Sequence, residues 1–151
     1  MLLVLAAPIK DDFLHVTSLF DDAFRLAVSP QHALAKQASI NPVDLIGEPL
    51  LLLDEGRCLR DQALQFCQIN GAEEQQNARA TRLETLRQMV RANTGITFIP
   101  ELAIQDNDES VCYIPFDKPQ PKRTICLVSR KTSPRSVLSA KLNEFLCSLS
   151  K

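Results

Sequence analysis

Tryptophan is absent from this 151-residue chain, tyrosine occurs once, glycine four times and histidine twice. His15 and His32 both lie away from any cysteine at ligand spacing, so no metal site is expected. The few aromatics do not interleave with basic residues, and no compact helix pair reads as a recognition element. DNA or RNA contact by this stretch alone is not expected. Net charge is scarce too: 17 basic against 18 acidic residues leave −1, and no global field draws the chain to nucleic acid or an anionic membrane. The apolar opening Met1–Pro8 lacks a basic leader, is followed by Lys10, Asp11 and Asp12, and is too short to span a bilayer. Internal repeats and low-complexity linkers are missing as well.

What is present is an ordinary globular composition, 45% hydrophobic and 23% charged, in a length that suits one domain. The charge is uneven along the chain. Residues 1–117 carry 9 basic and 17 acidic groups, and 118–151 carry 8 basic and 1 acidic. A basic C-terminal segment packing beside an acidic body explains this, with a phosphate-binding patch as the alternative. Five cysteines, an odd number without an export signal, point to free thiols in a reducing, cytoplasmic compartment.

Apolar runs bounded by turn residues predict strands near 2–6, 15–20, 23–28, 49–53, 76–80, 95–99, 111–115 and 123–129. Helical periodicity predicts helices over 58–69, 82–93 and 135–149, the second introduced by a Thr81 to Glu84 capping box. A fourth, short helix is expected after Asn41-Pro42, through Leu45, stopped by Gly47. Strands alternating with helices predict an α/β sheet with right-handed crossovers. Met1 leads straight into a strand, which reads as the continuation of a longer sheet.

The most informative stretch runs from Asp54 to Cys67. Gly56 permits a sharp turn, and the helical pattern begins beside Cys58, placing that sulfur near the positive end of a helix dipole. Arg57 and Arg60 flank it. Both effects favour the thiolate, the form that attacks peroxides and disulfides. Cys67 lies nine residues on. In a continuous helix that spacing separates the Cα atoms by about 13–14 Å, against roughly 4.4–6.8 Å for a disulfide. A bond between the two would therefore require the segment to unwind. Two core cysteines on one helix remain the alternative, and Cys112, Cys126 and Cys147 read as buried apolar positions.

The segments Gly56-Arg-Cys58-Leu-Arg-Asp-Gln-Ala63 with Cys67, Arg79-Ala-Thr-Arg-Leu-Glu-Thr-Leu-Arg87, Met89-Val90, Gly95-Ile-Thr97, Ile99-Pro100 and Lys118-Pro-Gln-Pro-Lys-Arg-Thr-Ile125 resemble the OxyR family of peroxide-sensing LysR-type transcription regulators. Leu19-Phe-Asp21 and Asp44-Leu-Ile-Gly-Glu48 are similar too. The resemblance implies a periplasmic-binding-protein-like α/β effector domain. Residues 21–126 would form a complete second lobe, and 1–20 with 127–151 the later part of the first. A DNA-binding domain, a linker helix and the start of the first lobe would precede Met1.

By the same resemblance Cys58 is the peroxidatic cysteine and Cys67 the resolving one, in a reversible disulfide. Arg123 matches an arginine placed near the reactive sulfur, and with Arg60 would hold the thiolate and hydrogen-bond the leaving oxygen. Thr81 caps a helix that faces the inter-lobe cleft in LysR-type domains, a candidate ligand contact. Two positions depart from the family pattern. Arg57 stands where His is frequent, supplying fixed charge without proton shuttling, and Asn93 stands where Gly is favoured after the helix.

The partners implied are hydrogen peroxide, a thioredoxin- or glutaredoxin-type reductant, and a second copy in a dimer or tetramer. DNA and RNA polymerase would be reached only through the longer regulator. No cofactor, membrane partner or enzymatic turnover is expected. A co-inducer-binding domain without redox switching is the alternative function, and a thiol peroxidase a more distant one.

Overall fold

The computed structural model describes residues 2–7, 9–53, 73–80, 82–104, 107–132 and 136–149. The strands among the described residues are β1 Leu2–Ala6, β2 Leu14–Val28, β3 Pro49–Leu53, β4 Glu73–Ala80, β5 Thr97–Pro100, β6 Cys112–Pro115 and β7 Lys122–Arg130. The described residues also form the α-helices α1 Leu83–Arg91 and α2 Ser136–Leu149, with short 3₁₀ turns at Ala33–Lys36, Pro42–Leu45 and Glu101–Ala103. Among the described residues no helix is long and apolar enough to cross a membrane.

The chain divides into two compact units, Met1–Asp22 with Arg123–Lys151, and Ala23–Lys122. In the second unit the sheet has a core on each face, and strand alternation explains how. Phe24, Leu26 and Val28 of β2, Leu50 and Leu52 of β3, and Ile114 of β6 share one buried cluster with Leu34, Ile40, Leu45, Ile96, Phe98 and Phe116. The intervening residues Ala27, Leu51 and Ile99 join a second cluster with Leu86 and Val90 of α1 and with Val111. A strand buried on both faces reads as a continuous apolar run, which is why Pro49–Leu53 has no polar alternation. Each fully buried Leu, Ile, Val or Phe contributes roughly 1.5–3 kcal/mol.

Helix α1 presents Leu86 and Val90 to that second cluster and ends on a left-handed residue, Asn93, with φ 55°. Asn93 N donates to Val90 O at 2.9 Å and Thr94 N to Met89 O at 3.1 Å. These are the paired bonds of a Schellman cap, with Asn taking the position glycine usually fills. The cap leads directly to Gly95. A Cβ there would lie 2.5 Å from the Pro49 carbonyl oxygen and 2.9 Å from Leu51 Cγ, so glycine is what lets this segment run against β3. Ile96 N donates to Pro49 O at 3.0 Å and Leu51 N to Ile96 O at 2.8 Å.

In the first unit β1 pairs antiparallel with β7, Val4 opposite Leu127, and β7 lies beside β2. Ile125, Cys126, Leu127 and Val128 of β7 are buried.

Three features differ from the sequence expectation. The strands expected at 15–20 and 23–28 are one continuous strand, because the acidic pair Asp21-Asp22, which reads as a break, is satisfied by side chains of β7. The pairings of β1 with β7 and of β2 with β5 and β6 are antiparallel, and β3 with β4 forms a parallel ladder. At the start of α1 the cap position is Arg82 without a side-chain cap bond. Glu84 instead accepts from Arg87 and Gln88 at 3.1 Å each, and Thr81 lies outside the described residues.

Candidate functional site

Strands β3 and β4 are consecutive and parallel, a pairing that requires a crossover between them. The sequence of that crossover holds Arg57, Cys58, Arg60 and Cys67. All four, with the helix expected over 58–69, lie outside the described residues.

Arg123 is described, near the start of β7. Its Nε and Nη2 both reach Asp22 Oδ2 at 2.8 Å. The Asp22 side chain is 1% exposed and that of Arg123 21%. One step along each strand, Thr124 Oγ1 donates to Asp21 Oδ1 at 2.8 Å. A carboxylate this deeply buried needs a paired cation, and Arg123 supplies it through one edge of its guanidinium. Among the described residues nothing accepts from Nη1. The arginine is thus held in one orientation by a residue far away in sequence, a partnership with no local signal in the chain.

A second arginine, Arg87, is buried in α1. Its Nε donates to the Tyr113 hydroxyl at 3.3 Å, its Nη1 to Glu84 at 3.1 Å, and its Nη2 to the Ala103 carbonyl. Burial works against its charge, but the Tyr113 and Glu84 hydrogen bonds outweigh burial and hold its pKa above the ordinary arginine value. Nearby, a cavity of about 360 Å³ is lined by Arg25, Glu101, Ile104 and Tyr113. Arg25 Nε and Nη2 both lie 2.8 Å from Glu101 Oε1, closing an ion pair across it. The sequence carried no sign of this cavity, because its residues come from three separate strands and turns.

The other cysteines are placed as follows. Cys126 is buried, with Sγ 3.9 Å from Ser18 Oγ. Cys112 is half-buried against the first core cluster. Cys147 is also half-buried, on α2, with Sγ 3.6 Å from Asn143 Oδ1, so it is less enclosed than its apolar setting in sequence suggests. His32 caps the turn at Ala33–Lys36, accepting from Leu34 N at Nδ1 and facing Glu48 through Nε2 at 3.2 Å. Among the described residues no group of three or more His, Cys, Asp or Glu side chains is placed to hold a metal.

Residues 2–149 match the family model of the LysR substrate binding domain. A hydrogen peroxide-inducible genes activator of Dickeya chrysanthemi is 50% identical over 118 residues, which is 77% of this chain and 39% of that protein. The chain therefore spans about two fifths of the length of this curated relative. Among solved structures, the oxidised form of OxyR aligns with TM-score 0.83 and 41% identity, covering 97% of this chain and 70% of that one. The reduced form of OxyR aligns with TM-score 0.85 and 38% identity, covering 97% and 69%.

Proposed function

The chain belongs to the LysR substrate binding domain family, and from that premise we propose that it is the peroxide-sensing effector portion of an OxyR-type transcription regulator, switched by a reversible Cys58–Cys67 disulfide. The observation that carries this reading is its likeness to both the oxidised and the reduced form of OxyR at about 40% identity, in a chain whose sequence retains two cysteines in the matching segment.

The chemistry follows from the residue types. The Cys58 thiolate, favoured by Arg57 and Arg60, attacks one peroxide oxygen. The O–O bond breaks, hydroxide leaves and takes a proton, and Cys58 becomes a sulfenic acid. The Cys67 thiolate then attacks that sulfur, water leaves, and the disulfide forms. A continuous helix cannot bring the two sulfurs together, so oxidation selects a different backbone arrangement of the segment. In this reading Arg123 serves the reactive sulfur, and Thr81 contacts the cleft. A dithiol reductant of thioredoxin or glutaredoxin type returns both cysteines to thiols. The event is stoichiometric and regulatory, within a cytoplasmic homodimer or tetramer whose DNA and polymerase contacts belong to the longer protein.

The test is a peptide map. The chain is treated with about one equivalent of peroxide, alkylated and digested with trypsin, which places Cys58 in the tripeptide 58–60 and Cys67 in 61–79. A linked pair of these peptides is expected. Two separately alkylated peptides, with a metabolite raising the melting temperature, would favour the co-inducer-binding domain, and sustained peroxide consumption with thioredoxin would favour a peroxidase.

A further inference from the structure

The described residues lining the cavity, Arg25, Glu101, Ile104 and Tyr113, all belong to the unit Ala23–Lys122, and the sheet register explains why they meet. Strands β5 and β6 flank the same stretch of β2: Arg25 is opposite Ile99 and Pro115, and Ala27 is opposite Thr97 and Tyr113. Directly opposed residues, and residues two apart along a strand, share a face of the sheet. Arg25, Ala27, Ile99 and Tyr113 therefore lie on one face, that of the second apolar cluster. Glu101 opens the turn Glu101–Ala103 directly after β5, and Ile104 closes it. Arg25 is thus set between a carboxylate brought by β5 and a phenol brought by β6.

At about 360 Å³ the cavity suits a small ligand, and its lining indicates which kind. The contacts of Arg25 with Glu101 at 2.8 Å use Nε, Nη2 and Oε1, so Arg25 Nη1 keeps donor capacity and Glu101 Oε2 keeps acceptor capacity. The Tyr113 hydroxyl accepts from Arg87 Nε at 3.3 Å, which directs its own O–H to another acceptor. Arg25 and Tyr113 together offer donors to a carboxylate, Glu101 offers an acceptor to an ammonium, and Ile104 supplies an apolar wall. The charges here already balance, Arg25 with Glu101 at 2.8 Å and Arg87 with Glu84 at 3.1 Å. A ligand of net charge would upset that balance in a partly enclosed site, whereas a zwitterion brings one charge for each partner. We propose that this cavity binds a small α-amino acid with an aliphatic side chain, its carboxylate on Arg25 and Tyr113, its ammonium on Glu101 and its side chain on Ile104. The site uses neither Cys58 nor Cys67 and stands independently of the redox reading.

The test is a titration of the 151-residue chain at neutral pH with L-leucine, followed by calorimetry and by amide NMR. Leucinamide, which lacks the carboxylate, and 4-methylpentanoate, which lacks the ammonium, are titrated beside it. Leucine is expected to saturate with a dissociation constant of about 1 mM or tighter, and each analogue to bind at least about tenfold more weakly. R25Q and E101Q are each expected to weaken leucine binding at least about tenfold, and Y113F by about three- to tenfold. The side chains of Arg25 and Glu101 are 35% and 46% exposed, so both substitutions are expected to leave the far-UV circular dichroism unchanged. Should R25Q fail to fold, E101Q carries the test. Leucine that shows no saturable binding up to about 50 mM overturns the inference. So does 4-methylpentanoate binding as tightly as leucine, which would make this a plain anion site, and so does a folded R25Q or E101Q that binds leucine as the parent does.

Discussion

The two units solve the same burial problem to different degrees. Residues 23–122 enclose a sheet between two apolar clusters, and Phe24, Leu26, Val28, Leu50, Leu51, Phe98 and Ile99 there are almost entirely out of water. Residues 1–22 with 123–151 bury the middle of β7 but leave Leu3, Val4 and Leu5 of β1 and Val137, Leu138 and Phe145 of α2 exposed. The exposed apolar residues of the larger unit, Val43, Ile46 and Leu102, sit on 3₁₀ turns or their flanks rather than on the sheet. Stability therefore resides in the unit that carries the two-cysteine crossover. The other unit carries spare apolar surface and the ion pair that orients Arg123.

The comparison is sharpened most by cutting one phenylalanine from each unit. Phe98 is 2% exposed and packs edge-on against Phe116 with ring centroids 5.1 Å apart. Phe98→Ala is expected to cost about 3–5 kcal/mol in urea unfolding. Phe145→Ala, on the exposed side of α2, is expected to stay within about 0.5 kcal/mol. Equal losses would erase the distinction between the units. Next in size is Gly95→Ala, whose methyl would collide with the Pro49 carbonyl; a loss of about 1–3 kcal/mol is expected from the forced shift. A neutral result would show that α1 and β3 can separate freely.

An acid titration probes the larger unit more gently. The Ser110 hydroxyl holds the Asp108 carboxyl below the usual carboxylate value of 3.8, against the opposing effect of burial, and Arg91 adds to the lowering. Folding thus favours the ionised form. The stability this contributes is fully present above 3.8 and is lost as pH falls through the lower folded value. Asp108→Asn is expected to flatten that part of the acid limb, measured as the urea midpoint against pH. An unchanged limb would remove Asp108 from the account. The smallest effect is a gain. Asn93→Gly relieves a left-handed residue and is expected to stabilise by about 0.5 kcal/mol, whereas a loss would mean that the Asn93 side chain contributes more than its backbone costs.

Much of this fold was legible in the sequence where local pattern decides it. The run Pro49–Leu53, the amphipathic period of α1 and the cap at Asn93 all emerged at or within a few residues of the expected places. What was not legible depends on distant partners. Asp21-Asp22 reads as a turn until Arg123 and Thr124 are set beside it, and strand direction is invisible to periodicity. The same applies to the candidate site. Charge and spacing single out Cys58 and its flanking arginines, whereas nothing near Arg123 in sequence foretells that Asp22 fixes its guanidinium.

The central claim, a peroxide-driven bond between Cys58 and Cys67, is tested most directly by counting thiols. The chain has five cysteines. Alkylation under denaturing conditions should label all five before peroxide and only Cys112, Cys126 and Cys147 after it, with the full count restored by a dithiol. In Cys67→Ser the product should instead be a persistent sulfenic acid on Cys58, heavier by about 16 Da. Five labelled thiols after about one equivalent of peroxide, in a chain that remains folded, would contradict the account.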